Sequence, residues 1–450
     1  MNPLLSDASA RAIRYLDNLD QRSVAPTPAA VAALRKFDEP LPAEPSDPAL
    51  TLQLLDEVGS PATTAMAGRR FFGFVIGGSL PVSLAANWLA GAWDQNTGLY
   101  KPTPGAAHLE VVALRWLLDL LGLPADCAGA FVTGATVANL TALAAARHAV
   151  LARAGWNVEA DGLFGAPPIT VVVGEEVHPT VKKSLGVIGL GRNRVLKVPV
   201  DSQGRMRADR LPALKGPAIV IVQAGNVNTG AFDPIGEICR QAHAAGAWVH
   251  VDGAFGLWAA TVPGLRPLVA GMADADSWAT DAHKWLNVPY DCGLAFVRDA
   301  NALQAAMAIT AEYLPTQVEQ RNPSDFTPEL SRRARGVEVW AALRALGRAG
   351  VAEMIGRNCR QARQFAEKLA AAGCEILNDV VLNQVLVAFG DAERTKRVIA
   401  AIQADGTCWA GVTVWQGRTA MRLSVCSWAT TDADVDRSIE AILRCAAAAT

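Results

Sequence analysis

Between about residues 110 and 300, seven short β-rich apolar runs alternate with helical segments, and no other feature constrains the chain as strongly. The runs are Ala130–Thr133, Ile169–Val173, Val195–Val200, Ala218–Gln223, Trp248–Val251, Ser277–Thr280 and Leu294–Arg298. Being apolar on both faces, they predict strands covered by helices on both sides, as in a mostly parallel α/β sheet. A long helical pattern follows, from Glu329 through Leu343 toward Leu369. The remainder mixes predicted strands (Val380–Phe389, Val412–Trp415, Ala420–Val425) with helices near 392–404 and 432–447, a smaller α+β domain. Residues 1–60 are polar and broken by proline, with helical pieces around Asp7–Asn18 and Thr51–Val58 and too few apolar residues for a core. The expected division is therefore an arm (1–60), a large α/β domain (61–330) and a small α+β domain (331–450).

Composition excludes several function classes. Of 450 residues, 51% are hydrophobic and 19% charged, well outside the disordered range. Lysine plus arginine number 41 against 43 acidic residues, with no basic run, which argues against a nucleic-acid or membrane-surface protein. The N-terminal residues have no apolar core of signal-peptide length, and no uninterrupted apolar stretch of about 18 residues offers a bilayer span. Eight scattered cysteines, with no CxxC pair and no His/Cys cluster at zinc spacing, predict reduced core residues in a cytoplasmic protein without a metal site.

Two predicted strand ends carry the chemistry. Trp248–Val251 runs into Asp252-Gly253-Ala254, and Ser277–Thr280 into Asp281-Ala282-His283-Lys284-Trp285. Ligands of an open parallel sheet bind beyond the carboxyl ends of its strands, so Asp252, His283 and Lys284 are expected at one crevice. A lysine there is either a snorkelling strand-end residue or a desolvated amine able to form an imine. Asp252 favours the second, because pyridoxal 5′-phosphate requires both a lysine imine and an acid at its pyridine nitrogen. A phosphate site is available at Thr133-Gly134-Ala135-Thr136-Val137-Ala138-Asn139-Leu140, which reads as a strand, a small-residue turn and a helix start.

Asp252-x-Ala254, Asp281-Ala282-His283-Lys284-Trp285-Leu286 and Gly134-Ala135-Thr136-x-Ala138-Asn139 together resemble the group II pyridoxal-phosphate amino-acid decarboxylases, of aspartate-aminotransferase fold type I. The resemblance extends from Arg70-Phe71-Phe72-Gly73 to Arg422-Leu423-Ser424 and implies a mostly parallel seven-stranded sheet. It implies that Lys284 holds the internal aldimine, Asp252 pairs with the pyridine nitrogen and Ala254 packs on one ring face. His178, in Glu176-Val177-His178-Pro179-Thr180, matches the histidine stacked on the other face. Ala135 and Thr136 would hold the phosphate, with Asp281 and His283 near it, and Asn226 would lie by the ring hydroxyl. Phe72 and Phe74 resemble an aromatic stretch of the substrate pocket, core packing being the other reading. Asn96-Thr97-Gly98-Leu99-Tyr100 resembles a segment given by a neighbouring subunit in a homodimer. Arg422 matches an arginine that binds a substrate carboxylate, with a structural ion pair as the rival.

The implied activity is decarboxylation of an L-amino acid to an amine through a quinonoid intermediate. One departure bears on it. Counting back from Ser331-Arg332-Arg333 puts Phe326 where animal and plant members have a proton-donating tyrosine, and phenylalanine donates no proton. Tyr313 or His178 is then the expected acid. Otherwise the products become those of oxidative deamination to an aldehyde, or of carbon–carbon cleavage of a β-hydroxy amino acid or amino alcohol phosphate. A non-catalytic regulator would need a DNA-binding segment, and none is evident.

Overall fold

The computed structural model describes residues 2–309 and 320–449. The chain divides into two compact units. The larger comprises residues 79–360 and 378–384; the smaller comprises 1–78, 361–377 and 385–450.

The larger unit is built on a seven-stranded sheet: β1 (Ala128–Val132), β2 (Thr170–Gly174), β3 (Val195–Val198), β4 (Ala218–Gln223), β5 (Trp248–Asp252), β6 (Ser277–Asp281) and β7 (Gly293–Val297), in the order β1-β7-β6-β5-β4-β2-β3. Neighbours from β3 through β6 are parallel, while β7 runs antiparallel to both β6 and β1. All seven expected strands form, most with ends moved by one or two residues. Every residue of β4 through β7 is buried, as expected of strands covered on both faces.

Helix Ala135–Ala152 follows β1 and buries Ala138, Ala142, Leu143, Ala145 and Ala146. By length and composition Ala135–Arg153 is apolar enough to cross a bilayer, but Arg147 and His148 interrupt it and most of it is buried within the protein. The long helix expected from Glu329 starts at Gly336 and is interrupted at Gly347, whose φ of 58° favours glycine.

The smaller unit contains a four-stranded sheet of β8 (Glu375–Ile376), β9 (Gln384–Ala388), β10 (Gly411–Trp415) and β11 (Arg418–Ser424), in the order β10-β11-β9-β8. Helices Ala392–Asp405 and Asp432–Ala448 accompany it. Residues 61–78, expected in the large domain, belong here, and so does the arm. The buried Arg70 guanidinium is the reason: it donates to Thr407 O (2.8 Å), Asp434 Oδ1 (3.2 Å) and Asp20 O (3.1 Å), tying three distant stretches together.

Candidate active site

The carboxyl ends of β1, β2, β4, β5 and β6 lie along one edge of the sheet. Register places Asp281 of β6 and Val132 of β1 on either side of Gly293, the first residue of β7. This brings Lys284 to the turn after β1. Asp281 joins the two: its Oδ1 accepts the Ala135 N–H at 2.6 Å and its Oδ2 pairs with Lys284 Nζ at 3.0 Å. Cys292 N–H donates to His283 Nδ1 at 3.0 Å, which leaves Nε2 to carry the hydrogen of the neutral ring, 3.5 Å from Asp281 Oδ1. Tyr290 stacks on the same imidazole with centroids 4.3 Å apart. Burial holds the His283 pKa below its usual range, Asp281 opposing the shift.

Asp252 ends β5 and is 5% exposed. Burial pushes its carboxyl pKa up, and the nearby His178 and Lys284 charges pull it back. Its Oδ1 accepts the Ala254 N–H at 3.3 Å, so Ala254 sits directly over the acid's turn. His178 caps helix Pro179–Val187, with Nδ1 2.7 Å from Thr180 Oγ1 and accepting the Thr180 N–H at 3.3 Å. Thr136 is half-buried in the first turn of its helix, where the leading N–H groups have no intrahelical acceptor. Asn226 follows β4, but its side chain is engaged in its own turn: Oδ1 accepts from Asn228 N (2.9 Å) and Nδ2 donates to Glu176 Oε2 (3.0 Å).

Phe326 is not at this edge, and its expected place there is corrected. It lies in the single 3-10 turn Pro323–Phe326, 8% exposed, with the Arg321 guanidinium 4.1 Å over its ring. With Arg321 it lines a cavity of about 680 Å³ that also includes Ala128, Gly129 and Ala300. Ala128 starts β1 and is paired with Val297, the last residue of β7, so this is the amino edge of the parallel sheet. The physical reason is an anchor the count could not see. Arg321 donates to Glu110 Oε1 (3.2 Å) and to Gly129 O, and Arg332 donates to Glu110 Oε2 (2.6 Å). Asn96–Tyr100 is bound to the same stretch, Thr97 exchanging backbone and side-chain bonds with Arg332. Tyr313 lies outside the described residues.

Phe72, Phe74 and Arg422 belong to the smaller unit. Phe72 is 1% exposed and edge-on to Phe365 at 5.0 Å, the geometry of a core ring. Phe74 is exposed and stacks on Trp409 at 5.4 Å. Arg422 is half-buried on β11, and burial pushes its guanidinium pKa down. The sequence reading passed over His250 and Glu176. A polar residue two positions before Asp252 on a buried strand was the available signal for His250.

This edge is that of a fold-type-I enzyme, with a lysine, a buried acid and a helix-start turn brought to one end of the sheet. The set fits pyridoxal phosphate. Asp252 carries a charge that burial disfavours, which a protonated ring nitrogen would balance. Gly134 leaves the helix start bare, since a Cβ there meets His283 Cε1 at 3.2 Å, and a side chain at Gly293 would collide with the Gly134 backbone.

Residues 34–390 match the model of the pyridoxal-dependent decarboxylase conserved domain, and the chain belongs to this family. It is a pyridoxal-phosphate-dependent decarboxylase, a carbon-dioxide-releasing lyase. The aromatic-L-amino-acid decarboxylase of Bacillus atrophaeus is 28% identical over 372 residues, covering 80% of this chain and 75% of that protein. The phenylacetaldehyde synthase of Arabidopsis thaliana is 25% identical over 413 residues, covering 85% and 83%. The crystal structure of Oryza sativa TDC with PLP and tryptamine shares the fold, with a TM-score of 0.91, 23% identity and coverage of 99% and 97%.

Proposed function

We propose that the chain decarboxylates an L-amino acid to the corresponding amine, in a cytoplasmic homodimer. The observation that carries this is Lys284 Nζ held 3.0 Å from Asp281 at the same sheet edge as the buried Asp252. When bound, pyridoxal phosphate supplies an aldehyde carbon for amines to exchange on and a ring that takes up the electrons left by departing carbon dioxide. Lys284 presents the resident amine, positioned by Asp281. Asp252, buried and poorly solvated, keeps a proton on the ring nitrogen opposite it. Thr136 and the amides that follow Ala135 in its helix would bind the phosphate, the Ala135 N–H being held by Asp281, which fixes the turn with His283 beside it. His178 and Ala254 would bound the two faces of the ring, and Asn226 would order the loop at its hydroxyl side. Arg422 is assigned to the substrate carboxylate and Phe74 to the substrate side chain, while Phe72, buried edge-on to Phe365, is assigned to core packing.

An amine product is favoured over an aldehyde because Phe326, whose missing hydroxyl suggested an aldehyde, stands at the other sheet edge. The dimer reading is supported by Val82, Trp88, Leu89 and Trp93, all exposed on helix Pro81–Trp93, and by Leu5 and Ile13 on the arm. The compartment reading is supported by eight free cysteines, of which seven are buried.

The test combines trapping with product analysis. Borohydride should fix the cofactor to the peptide containing Lys284, and a panel of L-amino acids should give carbon dioxide and amine in equal amounts. Phe326→Tyr should leave that product ratio unchanged. Labelling of another lysine, or aldehyde as the main wild-type product, overturns the assignment.

A further inference from the structure

Behind the reacting edge lies a chain of four buried polar groups that the mechanism above does not use. His250 stands two residues before Asp252 on β5, so both side chains leave the same face of the sheet. Register sets Ser277 of β6 opposite His250 and Ala279 opposite Asp252. Trp248 Nε1 donates to Ser277 Oγ at 2.8 Å. Asn139 Oδ1, 2.8 Å from His250 Nε2, can only accept, so the neutral ring carries its hydrogen there and Nδ1 accepts the Ser277 hydroxyl hydrogen, 2.8 Å away. His250, Ser277 and Asn139 are fully buried. Burial pushes the His250 pKa down to about 3, so the imidazole works as a neutral strut.

Asn139 lies one turn into helix Ala135–Ala152, whose first residues make the phosphate turn. The buried face of this helix is largely alanine (Ala138, Ala142, Ala145, Ala146). Such a smooth face lets the helix lie close to the sheet but interlocks weakly along its axis. Three polar bonds supply the missing axial register: Asp281 to Ala135 N and Ser184 Oγ to Thr136 O at the tip, and His250 to Asn139 one turn further in. Among the described residues the buried Asn139 Nδ2 has no hydrogen-bond partner, an unfavourable arrangement accepted where Oδ1 meets His250.

We propose that His250, through Asn139, is a positioning residue that sets the distance between the two anchor points of the cofactor, the Gly134–Thr136 turn for its phosphate and Asp252 for its ring nitrogen. The inference rests on the anchor roles assigned under the proposed function. A strut of this kind matters only to a ligand that spans both anchors. Pyridoxal phosphate does so, whereas inorganic phosphate occupies one.

The experiment compares full-length His250→Leu, His250→Gln and Asn139→Ala proteins with Thr136→Ala and Asp252→Ala. The dissociation constant of pyridoxal phosphate is measured by equilibrium dialysis, and that of inorganic phosphate by its competition with pyridoxal phosphate. His250→Leu and Asn139→Ala should weaken pyridoxal phosphate by roughly 10–100-fold, the effect of one lost buried hydrogen bond and its stranded partner, and leave inorganic phosphate unchanged. His250→Gln, whose side-chain amide can still donate to Asn139, should recover most of the loss. Parallel weakening of both ligands shows a damaged turn rather than a changed span and overturns the proposal, as does no weakening of either. If the His250 variants do not fold, Asn139→Ala decides by the same split. Should Thr136→Ala and Asp252→Ala leave pyridoxal phosphate affinity intact, the anchor assignment itself fails. Should they weaken it while the His250 and Asn139 variants do not, the strut alone is wrong.

Discussion

Replacing Asp252 by asparagine keeps the shape of the side chain and an oxygen for the Ala254 N–H, at 3.3 Å in the native protein, and removes only the charge. In the cofactor-free protein that charge is a liability, because burial raises the carboxyl pKa above the usual carboxylate range. A raised folded-state pKa means the folded state holds its proton to higher pH than the unfolded one. Wild-type stability therefore falls as pH rises from the usual carboxylate range through the folded pKa, and the neutral amide escapes this loss. The cofactor-free Asp252→Asn protein should accordingly be more stable than wild type at pH 8, by about 0.5–2 kcal/mol as for other relieved functional sites. The advantage should shrink on acidification, where both side chains are neutral. The loaded enzyme should respond in the opposite sense. Losing one partner of a buried ion pair costs about 3–5 kcal/mol, and at about 1.4 kcal/mol per decade turnover should fall roughly 10²–10⁴-fold. Calorimetric melting of the cofactor-free proteins at pH 5 and pH 8, with carbon dioxide release from the loaded ones, measures both effects. Identical melting at both pH values together with near-normal turnover would refute the assignment of Asp252 as the buried counter-charge.

Two other perturbations test the framework around the site. Glu110→Ala strands Arg332 and Arg321, which pair with that carboxylate at 2.6 and 3.2 Å, and should destabilise the larger unit by about 3–5 kcal/mol in urea unfolding. A loss below about 1 kcal/mol would show the cluster to be solvated rather than structural. Deleting residues 1–50 should weaken self-association and cofactor retention together in sedimentation and dialysis, and a deletion protein that stays dimeric and fully loaded removes the arm from the interface.

The sheet was legible because its strands satisfy a local rule. Ala218–Gln223 is apolar at nearly every position, and it forms a strand over those same residues. Asp252 and Lys284 were legible for the same reason, since a strand end read from the sequence is also a place on the sheet. Phe326 was not legible, because its position is decided by contacts that local pattern does not encode. Arg321 fixes that turn through Glu110 and Gly129, respectively 211 and 192 positions earlier in the chain. Counting back from Arg332 and Arg333 assumed a loop that follows its neighbours in register, whereas this one folds onto the amino edge. The domain boundary escaped in the same way: Arg70 belongs with the smaller unit through Asp434, 364 positions later. His250 stayed hidden because a histidine inside Trp248-Val249-His250-Val251-Asp252 looks like one more buried strand residue until its partners on two other elements are known.

The reversed direction of β7 has a consequence for the lysine. Because β6 ends and β7 begins side by side, Asp281 facing Gly293, residues 282–292 leave the sheet and return to it at one spot. The Ala282 and His283 amides both bond to Cys292 O, at 3.0 and 3.2 Å, and cinch the neck of this excursion. Lys284 thus follows directly on a backbone neck bonded at both of its preceding residues. In the role proposed for it, Lys284 would hold its amine beside the sheet edge at an effective concentration far above that of any free amine.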